Sequence, residues 1–164
     1  MSILLITSSC MAQKKVESGA YNLMLKTLLS HTVNEVSAQK ADSMSNVVFI
    51  DSREKEEYEV SHIQNAVWVG YDDFDIKRMA DISKEKKIVV YCAVGARSEK
   101  ISEALLEEGY SDVSNLYGGI FEWVNEGKPV YNNNGKTTKV HAYSKAWGNW
   151  LKEGEKVYGE NPDN

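Results

Sequence analysis

Cys92 lies where a strand is predicted to pass into a helix, a position that favours chemistry at its sulfur. Residues 88–91 form an apolar, β-branched run of the kind a central strand needs. After a short loop, apolar residues recur at helical spacing, which predicts an amphipathic helix. The first-turn N–H groups of a helix have no helical partners, and the helix dipole adds partial positive charge. Both effects stabilise a thiolate, which is the nucleophilic form of cysteine.

The loop that follows Cys92 suits attack on an anion. Gly95 allows the chain to curl so that successive N–H groups point at one anionic atom. Arg97 closes the loop with a planar cation that can bind an oxyanion through two hydrogen bonds. Free cysteines are often small buried hydrophobic residues, but the Gly, the Arg and the strand-loop-helix setting favour the chemical role. The candidate binding loop consists of Ala93, Val94, Gly95, Ala96, Arg97 and Ser98.

The pattern Cys-x-x-Gly-x-Arg-Ser at residues 92–98, with a following helix and Gly109-Tyr110, resembles the single-domain rhodaneses, which are thiosulfate:cyanide sulfurtransferase-like proteins. Upstream, the stretch VVFIDSREKEEYEVSHIQNAVWV is similar to that family's strand, Asp-x-Arg, Glu-Tyr and His-Ile-x-x-Ala series. Downstream, NLYGGIFEWVNEGKPV is similar to its Gly-Gly, Trp and Gly-x-Pro ending. These matches keep the family's order and spacing. One departure is Ser61, where the family usually has glycine.

The resemblance implies an α/β fold: a parallel sheet of about five strands with helices on both faces. The alternation of predicted strands and helices supports this architecture. For function, the resemblance implies that the Cys92 thiolate attacks a small anionic sulfur donor such as thiosulfate and becomes a persulfide. The loop amides act as an anion hole, and cyanide or a thiol acceptor then takes the sulfur. Apart from this covalent intermediate, no cofactor is expected.

Three further polar residues are candidates to support the loop. Asp51 and Arg53 follow a strong buried strand at residues 47–50, so they lie near Cys92 if the two strands are neighbours. We interpret Asp51 as a structural salt-bridge partner or helix cap, in preference to a carboxylate that organises the loop ends. His62 has the chemistry of a general base, but the family resemblance implies a histidine that fixes a turn.

Two other functions compete with sulfur transfer. Phosphatases and arsenate reductases of the Cys-x5-Arg kind need five residues between cysteine and arginine, whereas this chain has four, residues 93–96. Their loop surrounds a tetrahedral oxyanion, so the present loop should be one residue too short. The second competitor is a module that carries persulfide, or regulates a partner, without turnover. The presence of Cys92 is compatible with this reading as well.

At 164 residues the chain has about the length of one domain. We predict a flexible N-terminal segment at 1–20, a rhodanese-like domain at 21–131 and an extension at 132–164. Apolar spacing predicts a C-terminal helix within residues 142–158 of this extension, followed by a disordered tail, and His141 and Tyr143 are candidates to reach the mouth of the site. The net charge of −5 argues against a nucleic acid partner. The histidines are scattered along the sequence, so no metal site is predicted.

The first residues carry a second cysteine. An apolar run at residues 3–6 leads through Thr7, Ser8 and Ser9 to Cys10, which resembles the acylation site of bacterial lipoproteins. No Lys or Arg precedes Cys10, which weakens that interpretation. Two expectations therefore stay open: a lipid anchor at Cys10 in the cell envelope, or an incidental cysteine in a frayed terminus of a cytoplasmic protein.

Overall fold

The computed structural model describes residues 15–159. Within this range, five parallel strands form one sheet in the order β1-β5-β4-β2-β3. This confirms the predicted α/β fold. The strands are β1 (Asn34–Val36), β2 (Val47–Asp51), β3 (Val67–Trp68), β4 (Lys87–Tyr91) and β5 (Asp112–Leu116). The helices around them are α1 (Gly19–Leu28), α2 (Ala38–Asp42), α3 (Lys55–Val60), α4 (Ala96–Glu107) and α5 (Gly119–Asn125).

The central strand β4 contributes to a hydrophobic core on each face of the sheet. Val89 and Tyr91 belong to the core that includes buried residues of α1, α2 and α5. Ile88 and Val90 belong to the opposite core, with buried residues of α4. Successive strand residues point to opposite faces, so a strand covered on both sides is apolar throughout. Full burial of such a side chain contributes about 1.5–3 kcal/mol to folding.

The C-terminal extension packs against the core that contains Val89 and Tyr91, and most of it is not helical. It contains the hairpin β6 (Val130–Asn132) and β7 (Gly135–Thr137), then β8 (Lys139–His141), α6 (Lys145–Gly148) and β9 (Glu155–Val157). The helix predicted within 142–158 is wrong except for α6, because β9 pairs with β8 instead of continuing a helix. Apolar residues of the extension still contribute to the core: Val140, Ala142 and Leu151 are buried together with residues of α5.

Within the segment predicted to be flexible, residues 1–20, Val16 is buried and the Ser18 hydroxyl caps the first turn of α1. The flexibility of the segment stays a prediction, whereas one further expectation needs correction. Apolar spacing also predicts a helix over residues 72–82, but only a 3-10 helix at Ile76–Met79 forms there. Cys10, the candidate site of a lipid anchor, and the predicted disordered tail at 160–164 lie outside the described residues. In that described part of the chain, no helix has the length and apolar content needed to cross a membrane.

Candidate active site

Cys92 is the first residue after β4, and its sulfur lies at the N-terminus of α4. The residue is 1% exposed, and its Sγ accepts a hydrogen bond from the N–H of Gly95 at 3.1 Å. Gly95 precedes α4 with a φ of 118°, a left-handed conformation that glycine adopts without the steric cost of a Cβ. The structure therefore places the predicted nucleophile and its glycine in direct contact.

The N-terminus of α5 holds the back of the loop. The N–H of Ile120 donates to the carbonyl of Cys92 at 2.9 Å, and the N–H of Phe121 donates to that of Ala93 at 3.1 Å. Gly119 makes this approach possible, because a Cβ there would lie 2.4 Å from the oxygen of Ala93 and 2.5 Å from that of Cys92. The Gly-Gly pair recognised in the sequence thus lets one helix end contact the nucleophile loop.

Asn115 of β5 holds the same loop from another side. It is fully buried, and its Nδ2 donates to the carbonyl of Gly95 at 2.9 Å. Its Oδ1 accepts the hydroxyl of Ser98 at 2.7 Å, and that hydroxyl oxygen lies 3.5 Å from the sulfur of Cys92. Ser98 has one hydroxyl proton, and the shorter separation favours its donation to Asn115. Sequence reasoning missed Asn115, although a polar residue on the inner side of a predicted buried strand was a usable signal.

These contacts fix the direction of the loop amides. The carbonyls of Cys92, Ala93 and Gly95 are held by the partners just described, and no peptide bond of the described chain is cis. In a trans peptide the N–H points opposite to the carbonyl. The N–H groups of Ala93, Val94 and Ala96 therefore point away from those partners. With Gly95 they provide a set of donors for a negatively charged sulfur.

Arg97 is paired with a carboxylate that the sequence analysis did not select. Its Nη1 and Nη2 donate to the two carboxylate oxygens of Glu57 in α3, at 2.6 Å and 2.8 Å. Burial by itself would raise the pKa of Glu57, but the hydrogen bonds and positive charge of Arg97 hold it below its ordinary value. Burial would likewise lower the pKa of Arg97, but the hydrogen bonds and negative charge of Glu57 raise it overall. Both groups are therefore ionised.

Asp51 and Arg53 form a second ion pair, which is fully buried. The Arg53 Nη2 lies 2.6 Å from Asp51 Oδ2 and also donates to the carbonyl of Ser61 at 2.6 Å. This agrees with the structural interpretation of Asp51. Ser61 has an extended φ of −171°, which any residue adopts, so serine in place of the family's glycine causes no strain here.

His62 has a structural environment. Its Nδ1 lies 3.0 Å from the carbonyl of Tyr58, and the two rings are stacked with centroids 4.0 Å apart. Neither His62 nor the Asp51–Arg53 pair lines the space in front of Cys92. These three residues support the strand ends and the turn, and the structure does not bring them to the sulfur.

The space in front of Cys92 is a small pocket of about 130 Å³, and most of the side chains that line it are apolar. Two of its residues, Tyr143 and Trp147, come from the C-terminal extension, and Leu28 comes from α1. The ring of Tyr143 lies 5.0 Å from the guanidinium of Arg97. Tyr143 therefore reaches the mouth of the site, whereas His141 does not line it. The lining residues are Leu28, Cys92, Ala93, Val94, Ala96, Arg97, Tyr143 and Trp147.

Between positions 15 and 159, no group of three or more His, Cys, Asp or Glu side chains is arranged to hold a metal ion.

The sequence model of the rhodanese-like domain matches residues 32–126, which is more than half of the chain. The protein therefore belongs to the rhodanese-like domain family. Among solved structures, the fold is similar to thiosulfate sulfurtransferase from Pseudomonas aeruginosa, with a TM-score of 0.57, 19% identity and coverage of 80% of this chain and 26% of that one. It is also similar to a rhodanese-like domain from Anabaena sp., with a TM-score of 0.52, 23% identity and coverage of 58% and 72%. At these identities the likeness concerns the fold.

Similar proteins of higher sequence identity are named tRNA uridine(34) hydroxylase. The chain is 39% identical over 106 residues to the tRNA uridine(34) hydroxylase of Hamiltonella defensa, covering 62% of this chain and 28% of that protein. It is 37% identical over 100 residues to the protein of the same name from Pectobacterium carotovorum, covering 58% and 28%. The chain thus spans less than a third of the length of these relatives.

Proposed function

We propose that the protein is a sulfurtransferase in which Cys92 carries the transferred sulfur as a persulfide. The observation that supports this most is the set of loop amides around its sulfur, with the Gly95 N–H at 3.1 Å. The Cys92 thiolate attacks the outer sulfur of a donor such as thiosulfate. The S–S bond of the donor breaks, sulfite leaves with the bonding electron pair, and a Cys92 persulfide forms. The negative charge then rests on the terminal sulfur, where amide donors stabilise it.

The second half-reaction restores the enzyme. Cyanide or a thiolate attacks the terminal sulfur, the persulfide S–S bond breaks, and the electron pair returns to Cys92. With cyanide the product is thiocyanate, so atoms and charge balance over the two steps. Splitting the transfer into two displacements is ordinary covalent catalysis. No step needs a redox partner or a bound cofactor.

The loop spacing supports sulfur transfer over phosphate ester hydrolysis. Four residues separate Cys92 from Arg97. Arg97 donates through both terminal nitrogens to Glu57, so the carboxylate offsets its positive charge. Phosphate binding by arginine draws on that charge. A persulfide module without turnover has the same loop, and it differs only in failing to pass the sulfur on.

The names of the curated relatives raise tRNA as an alternative substrate. The net charge of −5 and the small pocket of about 130 Å³ favour a small donor for this chain. The absence of a nucleic acid partner stays a prediction.

Mass spectrometry after incubation with thiosulfate tests the proposal. We expect a mass gain of one sulfur atom on the peptide that contains Cys92, and thiocyanate production when cyanide is added. Cys92→Ser should abolish both, whereas Cys10→Ser should retain both. Sulfur on Cys10, or thiocyanate production that survives Cys92→Ser, would contradict the assignment.

Three further readouts separate the alternatives. A persulfide that forms on Cys92 but never passes to cyanide or a thiol indicates a carrier. Faster hydrolysis of an aryl phosphate than consumption of thiosulfate indicates a phosphatase. A change in a tRNA uridine that occurs without any sulfur on Cys92 supports the activity named for the relatives.

A further inference from the structure

Tyr143 occupies the mouth of the pocket in a backbone conformation that bulky residues rarely adopt. Its φ is 66°, which lies in the left-handed region. Across Tyr143, the N–H of Ser144 donates to the carbonyl of Ala142 at 2.9 Å. A hydrogen bond between residues two apart, around a positive φ, forms a γ-turn of the rare and strained type. A further contact is therefore needed to hold Tyr143 in this turn.

The side chain of His141 provides that contact. Its Nδ1 accepts the N–H of Tyr143 at 3.1 Å, and the residue is 4% exposed. A ring nitrogen that accepts from a peptide N–H carries no proton, so the proton of the neutral imidazole is on Nε2. Nε2 is buried and has no hydrogen-bond partner among the described residues. Within the part of the chain that the structure describes, the ring therefore makes its hydrogen bond to the turn alone.

Protonation of His141 would replace this attraction with a repulsion. A protonated imidazole carries a proton on both nitrogens, so Nδ1 would present a donor to the N–H donor of Tyr143. The turn would lose the bond that offsets its strain. Tyr143 could then return to an ordinary backbone conformation, which carries its ring away from the mouth.

Groups of both charges face His141. They belong to α3, to the turn before it and to α4: Glu56, Glu57, Arg53 and Arg97. The two carboxylates favour a proton on the ring, and the two guanidinium groups oppose it. In β9 the residue opposite His141 is Val157, which is uncharged. Burial is the largest effect, and it lowers the pKa of His141 below the ordinary value of 6.5, so the ring is neutral at neutral pH.

We propose that neutral His141 is a positioning residue that holds Tyr143 across the mouth of the Cys92 pocket, and that protonation of His141 opens this mouth. The ring of Tyr143 lines the pocket and lies 5.0 Å from the guanidinium of Arg97. Its departure removes one wall of the pocket. Access to Cys92 then depends on pH, whether or not the protein transfers sulfur.

The state of the ring can be observed in wild type by nuclear magnetic resonance. Two-bond nitrogen–proton correlation spectra of the labelled protein should place the proton of neutral His141 on Nε2. As the pH falls from about 8 to about 5, the His141 ring and the Tyr143 amide should titrate with one midpoint below about 6.5. A proton on Nδ1 of the neutral ring, a ring that stays neutral throughout, or a Tyr143 amide that does not respond overturns the inference.

Access to Cys92 is measured as a ratio of two alkylation rates in a Cys10→Ser background, which leaves Cys92 as the one cysteine. N-phenylmaleimide and the smaller iodoacetamide both react with the thiolate, so the ionised fraction of Cys92 cancels in their ratio. The larger reagent depends more on the width of the mouth. We expect the maleimide-to-iodoacetamide ratio to rise at least about threefold between about pH 8 and about pH 5.5.

His141→Asn separates the positioning role from a structural one, because an asparagine oxygen accepts the N–H two residues ahead and does not titrate. This variant should keep the low ratio at every pH. Tyr143→Gly should give the high ratio at every pH, since glycine adopts the positive φ and has no ring. His31→Asn is the control: His31 is exposed, bonded to Glu35 and outside the pocket lining, so the pH dependence should persist.

Two outcomes of the alkylation assay would contradict the proposed role. A ratio that still rises at low pH in His141→Asn assigns the change to another group. A low ratio in Tyr143→Gly at about pH 8 shows that the ring does not close the mouth. Thermal unfolding checks that each variant is folded, and the spectra of wild type test the proposal without any variant. Alkylation needs no sulfur donor, so failure here leaves the proposed function intact, and a Cys92 that never forms a persulfide leaves this inference intact.

Discussion

Glu57→Gln tests the ion pair that closes the nucleophile loop. The carboxylate of Glu57 is 1% exposed, and it accepts two hydrogen bonds from Arg97. Removing one partner of a buried ion pair costs about 3–5 kcal/mol. Arg97 keeps 15% exposure and the ring of Tyr143 at 5.0 Å, so its charge retains some stabilisation. We therefore expect a loss of about 2–3 kcal/mol in the free energy of unfolding, below the full range for buried pairs.

The expected fall in Tm is about 4–12 °C, since 1 kcal/mol corresponds to about 2–4 °C for a chain of this length. Thermal unfolding measures it, with Glu59→Gln as the control. Glu59 is exposed on the same helix, so this variant makes the same charge change without breaking a buried pair. If both variants unfold at the same temperature, the bracing role of Glu57 is refuted.

The stabilising effect of Glu57 should decrease as the pH falls. The pKa of Glu57 is lowered in the folded state from an ordinary value of 4.5. A carboxyl with a lowered folded pKa stabilises the protein fully above its unfolded pKa, and this contribution is lost as pH falls through the folded value. The stability gap between wild type and Glu57→Gln should therefore be constant near neutral pH and shrink below about pH 4.5. Urea unfolding across that range measures it, and a gap that does not shrink contradicts the ionised pair.

The KM for thiosulfate provides an independent test of the Glu57–Arg97 pair. In Glu57→Gln the guanidinium of Arg97 is no longer neutralised, so an inorganic dianion should bind better. We expect a lower KM for thiosulfate at a temperature where the variant is folded, and no change in Glu59→Gln. An unchanged or higher KM contradicts the argument that Glu57 cancels the charge of Arg97.

Three further substitutions, one of them with a matched control, probe contacts of the loop. Gly119→Ala should lose several kcal/mol of stability and most sulfur transfer, because the added Cβ meets backbone oxygens. The control Gly127→Ala should lose only about 1–2 kcal/mol, the cost of its left-handed backbone, since its Cβ meets nothing. Thermal unfolding and sulfur-transfer rates distinguish the two variants. Asn115→Ala should lower the rate of persulfide formation about tenfold or more by releasing the Gly95 peptide, which stopped-flow measurement checks at saturating donor. Arg97→Lys should unfold at a lower temperature than wild type, since lysine lacks the two-nitrogen fork that binds Glu57, and equal Tm values contradict this.

Local sequence was sufficient for the unit that carries the nucleophile. The apolar run at residues 88–91, Gly95 and the helical spacing after it are contiguous, and the structure forms β4, the loop and α4 there. Period and turn chemistry act between near neighbours, so they can be read from the chain directly. The alternation of strands and helices likewise determined the parallel sheet, because parallel strands need crossover connections.

The helical periodicity of the C-terminal extension predicted the wrong structure, because strand pairing formed there instead. Apolar residues within 142–158 have helical spacing, yet β9 pairs with β8, and the buried Ala142 and Leu151 lie outside any helix or strand. Several backbone conformations can bring the same apolar side chains onto the core. Spacing alone does not distinguish a helix from a strand and turns in such a short segment.

The environment of the sulfur was decided by tertiary structure. Glu57 and Arg97 are 40 residues apart, and Asn115 reaches the carbonyl of Gly95 across 20 residues. Tyr143 and Trp147 arrive at the pocket only because the extension folds back over the loop. Each of these contacts depends on which strand ends are neighbours and on how a later segment packs. The sequence by itself therefore determined that Cys92 lies between a buried strand and a helix, and the packing of distant elements determined that Arg97 is paired with Glu57 and that the extension lines the pocket.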